Sequence, residues 1–363
     1  MVAASIGGSA LASSGSSTSL GGVRSSPASR RIGRPVAVTT PESRPPVLLE
    51  ITETCLRCGI VGADPLPKHI FPLESCALPF FESEPAETDS ASLWYSYLAP
   101  IVKHAYQRLG LGAKERKAIV LFRGLDDRTL PRSIERALLT ALIDNVGVPA
   151  VNLQCSNASM VPYSLPMLTH MLVVYIGSKE ATCQAYASNE NLPFTYQNVP
   201  LNPQNSEEAT VQSMFLDYTN PNSVLTGMLS ALEACPMAVR KSVIANIVFC
   251  GTGLFQKPQL PLVIVKQLKY ALQQGTLPVE KAELNPRQLF PESEPVSVAA
   301  RNGSVPLKLK SLAGLEPHVG LVKTPMRPDL LAWVGASQWA AHWHGRDPLL
   351  QKWSWHTKTN LNH

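Results

Sequence analysis

The run Val47-Leu48-Leu49-Glu50-Ile51 is where we expect ordered structure to begin, and it decides the fold class. Its apolar side chains are typical of a short strand buried in a sheet. Six residues later, Cys58-Gly59-Ile60-Val61-Gly62 can return as a second strand. The sequence therefore predicts that the folded part opens with a β-hairpin.

Downstream of this hairpin, apolar runs alternate with helical patterns. Strands are predicted at Ala118–Phe122, Ala150–Leu153, Met171–Ile176 and Ile247–Cys250. Helices are predicted at Ser92–Leu109, Pro131–Val146, Leu225–Cys235, Met237–Ala245 and near Leu260–Leu272. A parallel α/β sheet demands such alternation, and the two blocks predict two α/β lobes. The Pro-, Glu- and Asn-rich segment Leu277–Pro295 is expected to be an exposed loop.

Residues 1–46 contain Ser, Gly, Ala and Arg with almost no large apolar side chain, so they cannot bury enough surface to offset the entropy of ordering. We interpret them as a disordered tail, although an acid-poor composition rich in Ser and Arg also fits an organellar transit peptide. The rest is assigned to an N-terminal lobe (47–176), a C-terminal lobe (177–341) and a Trp- and His-rich segment (342–363).

Composition narrows the class of protein. Of 363 residues, 45% are hydrophobic and 16% charged, which is enough to bury at least one large core. The formal net charge is +5, but the first 45 residues hold five arginines and one glutamate, so the tail carries +4 of it. The near-neutral remainder gives no reason to propose a nucleic-acid or polybasic membrane surface. Seven scattered cysteines favour a reducing compartment such as the cytosol, and without an apolar run of about 18 residues no transmembrane segment is predicted.

Four segments together resemble the actin superfamily. They are Leu48–Gly62 with its Cys-Gly-x-x-Gly return, Val173–Gly177, Asn246–Leu254, and Ala332–Ala336, which reads Ala-Trp-Val-Gly-Ala. The resemblance implies an actin-like ATPase fold, with two α/β lobes around a nucleotide cleft. In such nucleotidases glycine-containing turns cradle the phosphates, a lysine neutralises their charge, and aspartates hold the hydrated metal ion and attacking water.

Within the superfamily, Ala234-Cys235-Pro236 followed by Arg240-Lys241 and Asn246 resembles the actin-related protein at the pointed end of dynactin, the cofactor of cytoplasmic dynein. Thr324-Pro325 and Val148–Val151 agree with it. The resemblance implies a cytoplasmic, cytoskeletal protein. Its expected partners are dynactin's actin-related filament subunit and the pointed-end accessory subunits, and indirectly dynein, with no nucleic acid among them.

The expected nucleotide site is degenerate in its first loop. Glu50 stands where the family has aspartate, Thr52 where it has glycine, and Arg57 where it has lysine. A longer acid and a side chain on a tight turn would both crowd the phosphates, although Arg57 could still pair with them.

The second loop departs further, because Tyr175 replaces the aspartate expected two residues before Gly177. Efficient hydrolysis is not expected, so we assign no catalytic residue and no metal ligand. At the adenosine turn Gly251 and Gly253 are kept, so ATP could be gripped without being cleaved. The other interpretation is that these turns are only inherited hinges of the fold, and both stay open.

The length of one segment favours a capping role. Fewer than 70 residues separate Gly177 from Asn246, about half of what actin uses there to build its outer fourth subdomain. That subdomain is therefore expected to be reduced or absent. In actin filaments it contacts the neighbouring subunit toward the pointed end, so a subunit without it could stop growth.

Weaker signals have ordinary interpretations. Cys55-x-x-Cys58 is a lone pair that packing explains better than a metal or redox site. His170 lacks an accompanying nucleophile, and the indoles around Trp339 are expected to pack on their own core, with some left to anchor a partner. Two alternative functions stay open, an active ATPase or phosphotransferase of the same fold and an actin-related scaffold of a nuclear chromatin-remodelling complex.

Overall fold

The computed structural model describes residues 44–52, 54–63, 65–73, 87–122, 132–154, 158–177, 180–201, 213–254, 257–274, 311–343 and 355–358. Residues 1–43 of the predicted tail and the loop predicted at 277–295 lie outside this described part. The predicted α/β class is confirmed, because two mixed β-sheets alternate with helices along the chain. Both sheets belong to one compact unit.

The described part contains the following strands and helices. The strands are β1 (Val47–Ile51), β2 (Cys55–Ile60), β3 (His69–Pro72), β4 (Ala118–Phe122), β5 (Ala150–Gln154), β6 (His170–Ile176), β7 (Glu180–Ala187), β8 (Glu190–Asn191), β9 (Gln197–Pro200), β10 (Ile247–Cys250) and β11 (His356–Thr357). The main helices are α1 (Glu87–Leu109), α2 (Arg132–Leu139), α3 (Val161–Ser164), α4 (Val224–Ala234), α5 (Met237–Ile244), α6 (Leu260–Gln274) and α7 (Leu331–Trp343). No helix in the described part is long and apolar enough to cross a bilayer.

The first sheet is built around the predicted opening hairpin, in the order β11-β5-β4-β1-β2-β3. Strand β1 pairs antiparallel with β2 and parallel with β4, and β4 pairs parallel with β5. This register places Glu50 on β1 directly opposite Arg57 on β2. The predicted hairpin and the parallel strands that follow it are confirmed.

The side chains of β1 alternate between two cores. Val47, Leu49 and Ile51 are buried with α1 and α2 on one face of the sheet. Leu48 is buried on the other face, together with Trp333 and further side chains of α7. Because successive side chains of a strand point to opposite faces, Glu50 points to the same side as Leu48. The acid of the hairpin is therefore directed toward the side on which α7 packs.

The second sheet has β6 at its centre, in the order β10-β6-β7-β8, with β9 also paired to β7. Strand β10 is parallel to β6, and β7 is antiparallel to it. One face packs against α4, α5 and α6, and the other packs against Val161 of α3 and Leu331 of α7. The predicted strands at β6 and β10 and the predicted helices at α4, α5 and α6 are confirmed.

The two sheets repeat one local arrangement. In the first, β1 lies between an antiparallel strand that follows it directly and a parallel strand from later in the chain. In the second, β6 lies between antiparallel β7 and parallel β10 in the same way. Each sheet therefore contains a hairpin whose first strand is buried beside a parallel neighbour.

The boundary predicted between residues 176 and 177 differs from the division between the sheets. Strand β6, assigned to the N-terminal lobe, pairs only within the second sheet. Helix α7, assigned to the C-terminal lobe, packs on the first sheet, and β11 pairs with β5 there. The reason is that strands pair and helices pack with elements that are close in three dimensions, whereas the boundary was predicted from position along the chain.

Some local structure also differs from the predictions. The helix predicted over Pro131–Val146 is α-helical at α2 and continues as a π-helical segment, Thr140–Val146, which ends at Gly147 with φ +87°. Strands β3, β7, β8, β9 and β11 were not predicted. Strand β7 has six buried residues in a row, including polar Thr182 and Gln184, so it lacks the alternation that marks a strand with one wet face.

Candidate functional site

The first predicted loop is a tight turn held by Thr52. The backbone N–H of Thr52 donates to the Cys55 carbonyl over 3.0 Å, and its hydroxyl donates to the same carbonyl over 2.9 Å. The hydroxyl also accepts from the Cys55 N–H over 3.0 Å. Thr52 is buried, and its side chain closes the hairpin itself.

Arg57 lies in the centre of a buried ion cluster. Its Nη1 donates to Glu50 Oε2 over 2.8 Å and to the backbone carbonyl of Asp329 over 2.8 Å. Its Nη2 donates to Asp329 Oδ2 over 2.7 Å. The side chains of Arg57, Glu50 and Asp329 are at most 6% exposed. In this structure Arg57 therefore faces two carboxylates, and the phosphate-pairing role expected for it stays a prediction.

Arg327 completes the cluster from outside. Its Nε and Nη2 donate to the two carboxylate oxygens of Asp329 over 3.0 and 2.9 Å, and its side chain is 56% exposed. Two guanidinium groups thus balance the carboxylates of Glu50 and Asp329. Neutral, hydrogen-bonded clusters are the form in which charges can be buried in a protein.

In this cluster, burial and the neighbouring opposite charges shift the pKa of Glu50 and of Arg57 in opposite directions. Burial raises the pKa of Glu50, and the neighbouring Arg57 opposes that rise. For Arg57, burial works to lower the pKa, but the negative charges of Glu50, Cys55 and Asp329 outweigh it and raise the pKa. Arg57 therefore stays positively charged at any physiological pH.

The second predicted loop is the turn between β6 and β7, where Gly177 N donates to the Glu180 carbonyl over 2.9 Å. Tyr175 is buried two residues earlier, with Cys250 of β10 on one side and Thr182 of β7 on the other. The sheet thus places a phenol at the position where the resemblance led us to look for a carboxylate. Residues 178 and 179 lie outside the described part.

The third predicted loop is pressed against the second. Gly251 has φ +110°, and a Cβ there would lie 2.2 Å from the Ile176 carbonyl oxygen. A Cβ on Gly253 would lie 2.3 Å from the Gly177 carbonyl oxygen. Real Cβ atoms do not approach backbone so closely, so both glycines are required for the turn after β10 to fit against the end of β6. The structure thereby brings Gly177, Gly251 and Gly253 together.

One short segment joins these two groups of candidate residues. The backbone N–H of Gly251 donates to the Pro328 carbonyl over 3.3 Å, and Asp329 is bound to Arg57. Sequence analysis missed both Asp329 and Arg327. The only available signal was an Arg-Pro-Asp sequence directly before an apolar helix, and nothing local reveals a partner 272 residues away.

The weaker candidates can be placed in the described part of the chain. His170 accepts from Asn246 through its backbone carbonyl over 3.0 Å, and its ring Nδ1 lies 2.9 Å from the Thr169 hydroxyl. Cys55 and Cys58 are free thiols, of which Cys58 is buried. Trp339 packs in the core between α7 and the first sheet, as expected. Among the described residues no group of three or more His, Cys, Asp or Glu side chains could hold a metal ion.

No protein-family model matches the sequence, and no curated protein matches it.

Proposed function

We propose that this chain is a non-catalytic, actin-like subunit that caps the pointed end of dynactin's actin-related filament. In this role it docks the pointed-end accessory subunits and so supports dynein-driven transport along microtubules. The proposal combines the resemblance of the sequence with three features of the fold.

The observation that carries the proposal is that the described chain between Gly177 and Asn246 folds onto the second sheet. Its described residues form β7, β8, β9, α4 and α5, and their apolar side chains lie in the same core as β6. Only residues 178–179 and 202–212 of this stretch lie outside the description. Thirteen residues are too few to fold into a subdomain of their own.

A missing outer subdomain favours a cap over a filament-forming subunit. Head-to-tail contacts between identical subunits propagate without limit unless one contact surface is lost. A subunit that keeps its inner surfaces but has no outer subdomain can bind an existing end and offer nothing to the next protomer. The repeated hairpin arrangement of the two sheets is what a two-lobed actin-like architecture requires.

The charged residues of the first loop support the absence of catalysis. Phosphoryl transfer needs a cation and carboxylate-bound metal positioned at the phosphates. Here the two terminal nitrogens of Arg57 are engaged by Glu50 and Asp329, and Tyr175 replaces the second carboxylate. We propose that the cleft is a remnant of a nucleotide site, and that any bound ATP would be static.

Affinity purification from native cytosol tests the proposal. The tagged chain is isolated at low salt, and its partners and any extracted nucleotide are identified by mass spectrometry. We expect stoichiometric recovery of the actin-related filament subunit and the pointed-end accessory subunits. An isolated monomer, co-purifying chromatin-remodelling subunits or measurable ATP turnover would contradict the proposal, and the last two would point to the scaffold or the enzyme.

A further inference from the structure

The segment before α7 passes from one sheet to the other. Leu321 bridges in parallel to Ile247 at the edge of the second sheet, and Val322 N donates to the Ile247 carbonyl over 2.9 Å. A few residues later the segment carries Asp329 to Arg57 and enters α7, which packs on the first sheet. Asp329 therefore lies at the point where the chain crosses between the sheets.

Two carboxylates converge on this crossing point from opposite sides. Glu50 comes from the first strand of the first sheet, and Asp329 from the segment that also binds Gly251 at the end of β10. Two buried carboxylates repel one another unless a cation lies between them. Arg57 supplies this cation from within the chain, and its planar guanidinium reaches both acids at hydrogen-bonding distance.

We propose that Arg57 is an internal counter-ion that holds the two sheets together, so that the closed arrangement needs neither a nucleotide nor a metal ion. Arg57 alone supplies between these acids the kind of positive charge that a lysine and a metal ion would bring into a nucleotide cleft. This inference goes beyond the filament role and does not depend on it, because it concerns only how the chain holds itself closed.

The arrangement accounts for two departures from the family pattern at once. A glutamate at position 50 is long enough to reach the guanidinium of the residue opposite it, and arginine at 57 can bind two acids simultaneously where a lysine presents a single point charge. The residues at positions 50 and 57 that depart from the nucleotide-binding pattern are then the same residues that form the ion cluster.

The test is thermal unfolding and hydrogen exchange of an Arg57→Ala variant of the full chain. We expect the variant to lose roughly 5 to 10 °C in Tm, because buried Glu50 loses its cation and Asp329 keeps only the half-exposed Arg327. We also expect the amides of Thr52 and Gly251 to exchange faster together, although they belong to different sheets. Arg44→Ala, which removes a partly exposed ion pair with Glu115, is the control and should change neither measurement.

Chemical rescue separates a counter-ion from a ligand site. Millimolar guanidinium chloride should restore the Tm and exchange protection of Arg57→Ala, whereas sodium chloride at equal ionic strength should not. The Tm of the unaltered chain should be insensitive to MgATP. A saturable rise in that Tm with MgATP, rescue of the variant by Mg²⁺ but not guanidinium, or faster exchange in one sheet alone would overturn the proposal.

Asp329→Asn provides a second test should Arg57→Ala fail to fold. This change removes one negative charge and keeps the shape of the side chain, so a smaller but still coupled rise in exchange at Thr52 and Gly251 is expected. Unchanged exchange at both amides would overturn the proposal. Recovery of filament partners is measured separately, so failure of this inference and failure of the proposed function are distinguishable.

Discussion

Arg57 and Asp329 are 272 residues apart in the chain, and their charged atoms meet over 2.7 Å in the interior. Each side chain is nearly inaccessible to solvent. The pair joins the opening hairpin to the segment that leads into the last long helix of the described part.

Removing Asp329 should lower the free energy of unfolding far more than removing Arg327, the exposed arginine bound to it. Asp329→Ala leaves Arg57 with one buried carboxylate and should cost about 3–5 kcal/mol of unfolding free energy. Arg327→Ala removes a guanidinium that is 56% exposed and should cost less than about 1 kcal/mol. Urea unfolding followed by circular dichroism measures both. Equal losses would show that Arg57 does not depend on Asp329.

Gly251→Ala should destabilise the chain more than a matched glycine substitution. Gly110 also has positive φ, +65°, but a Cβ there would meet nothing within 4 Å, so Gly110→Ala should cost about 1–2 kcal/mol from backbone strain alone. At Gly251 the same strain is joined by a clash with the Ile176 carbonyl, which should add about 1–3 kcal/mol. The comparison is made by urea unfolding, and equal costs would refute the close approach of the two turns.

Gly335→Ala should lower stability although alanine is the better helix former. A Cβ at Gly335 would lie 1.8 Å from the Met160 carbonyl oxygen, so α7 would have to move away from α3 and the first sheet. The intrinsic preference for alanine, about 1 kcal/mol, cannot offset such an overlap. Gln338→Ala on the exposed face of the same helix is the control and should be neutral or slightly stabilising. Tryptophan fluorescence reports the repacking through the nearby Trp333 and Trp339, and an unchanged signal with full stability would contradict it.

The buried thiol of Cys183 should make stability depend on alkaline pH. Burial raises its pKa to about 12, above the ordinary value of 9.0. Between these two values the unfolded thiol loses its proton and the folded thiol keeps it, so stability is complete below pH 9.0 and falls as pH rises toward 12.

The slope of this loss is about 1.4 kcal/mol per pH unit for one group. The Cys183→Ala variant lacks the thiol and therefore this loss. The difference in unfolding free energy between the unaltered chain and the variant should shrink by about 1.4 kcal/mol per pH unit above pH 9.0. Urea unfolding at a series of pH values that runs from below 9.0 toward 12 measures the difference. A difference that stays constant with pH would show that the thiol is accessible in the folded state.

Several elements could be predicted because their cause is local. The apolar runs at β1, β4, β6 and β10 can be satisfied only by burial, and their lengths suit strands. The same logic identified the hairpin and most of the helices. Strand β7 escaped prediction because Gln184 is buried with a hydrogen bond from the Tyr186 hydroxyl, and such pairing leaves no trace in a hydrophobic pattern.

The candidate site was predictable only in part. Gly251 and Gly253 were recognisable in the sequence as a turn. Glycine is required there because the carbonyl oxygens of Ile176 and Gly177 leave no room for a Cβ, and the pairing of β10 with β6 brings these groups together. The predicted boundary between residues 176 and 177 does not coincide with the division between the sheets, because β6 follows the first block in sequence and pairs with β10 in space.

Apolar periodicity and residue identity are local properties, so they were enough to predict the α/β class, the opening hairpin and the presence of Glu50, Thr52 and Arg57 in its turn and flanking strands. What these side chains do follows from their contacts in three dimensions. The partner of Arg57 is an acid near the other end of the chain, and a charge's partner is set by distance in three dimensions and by shared exclusion from water. No periodicity along the chain encodes such a contact.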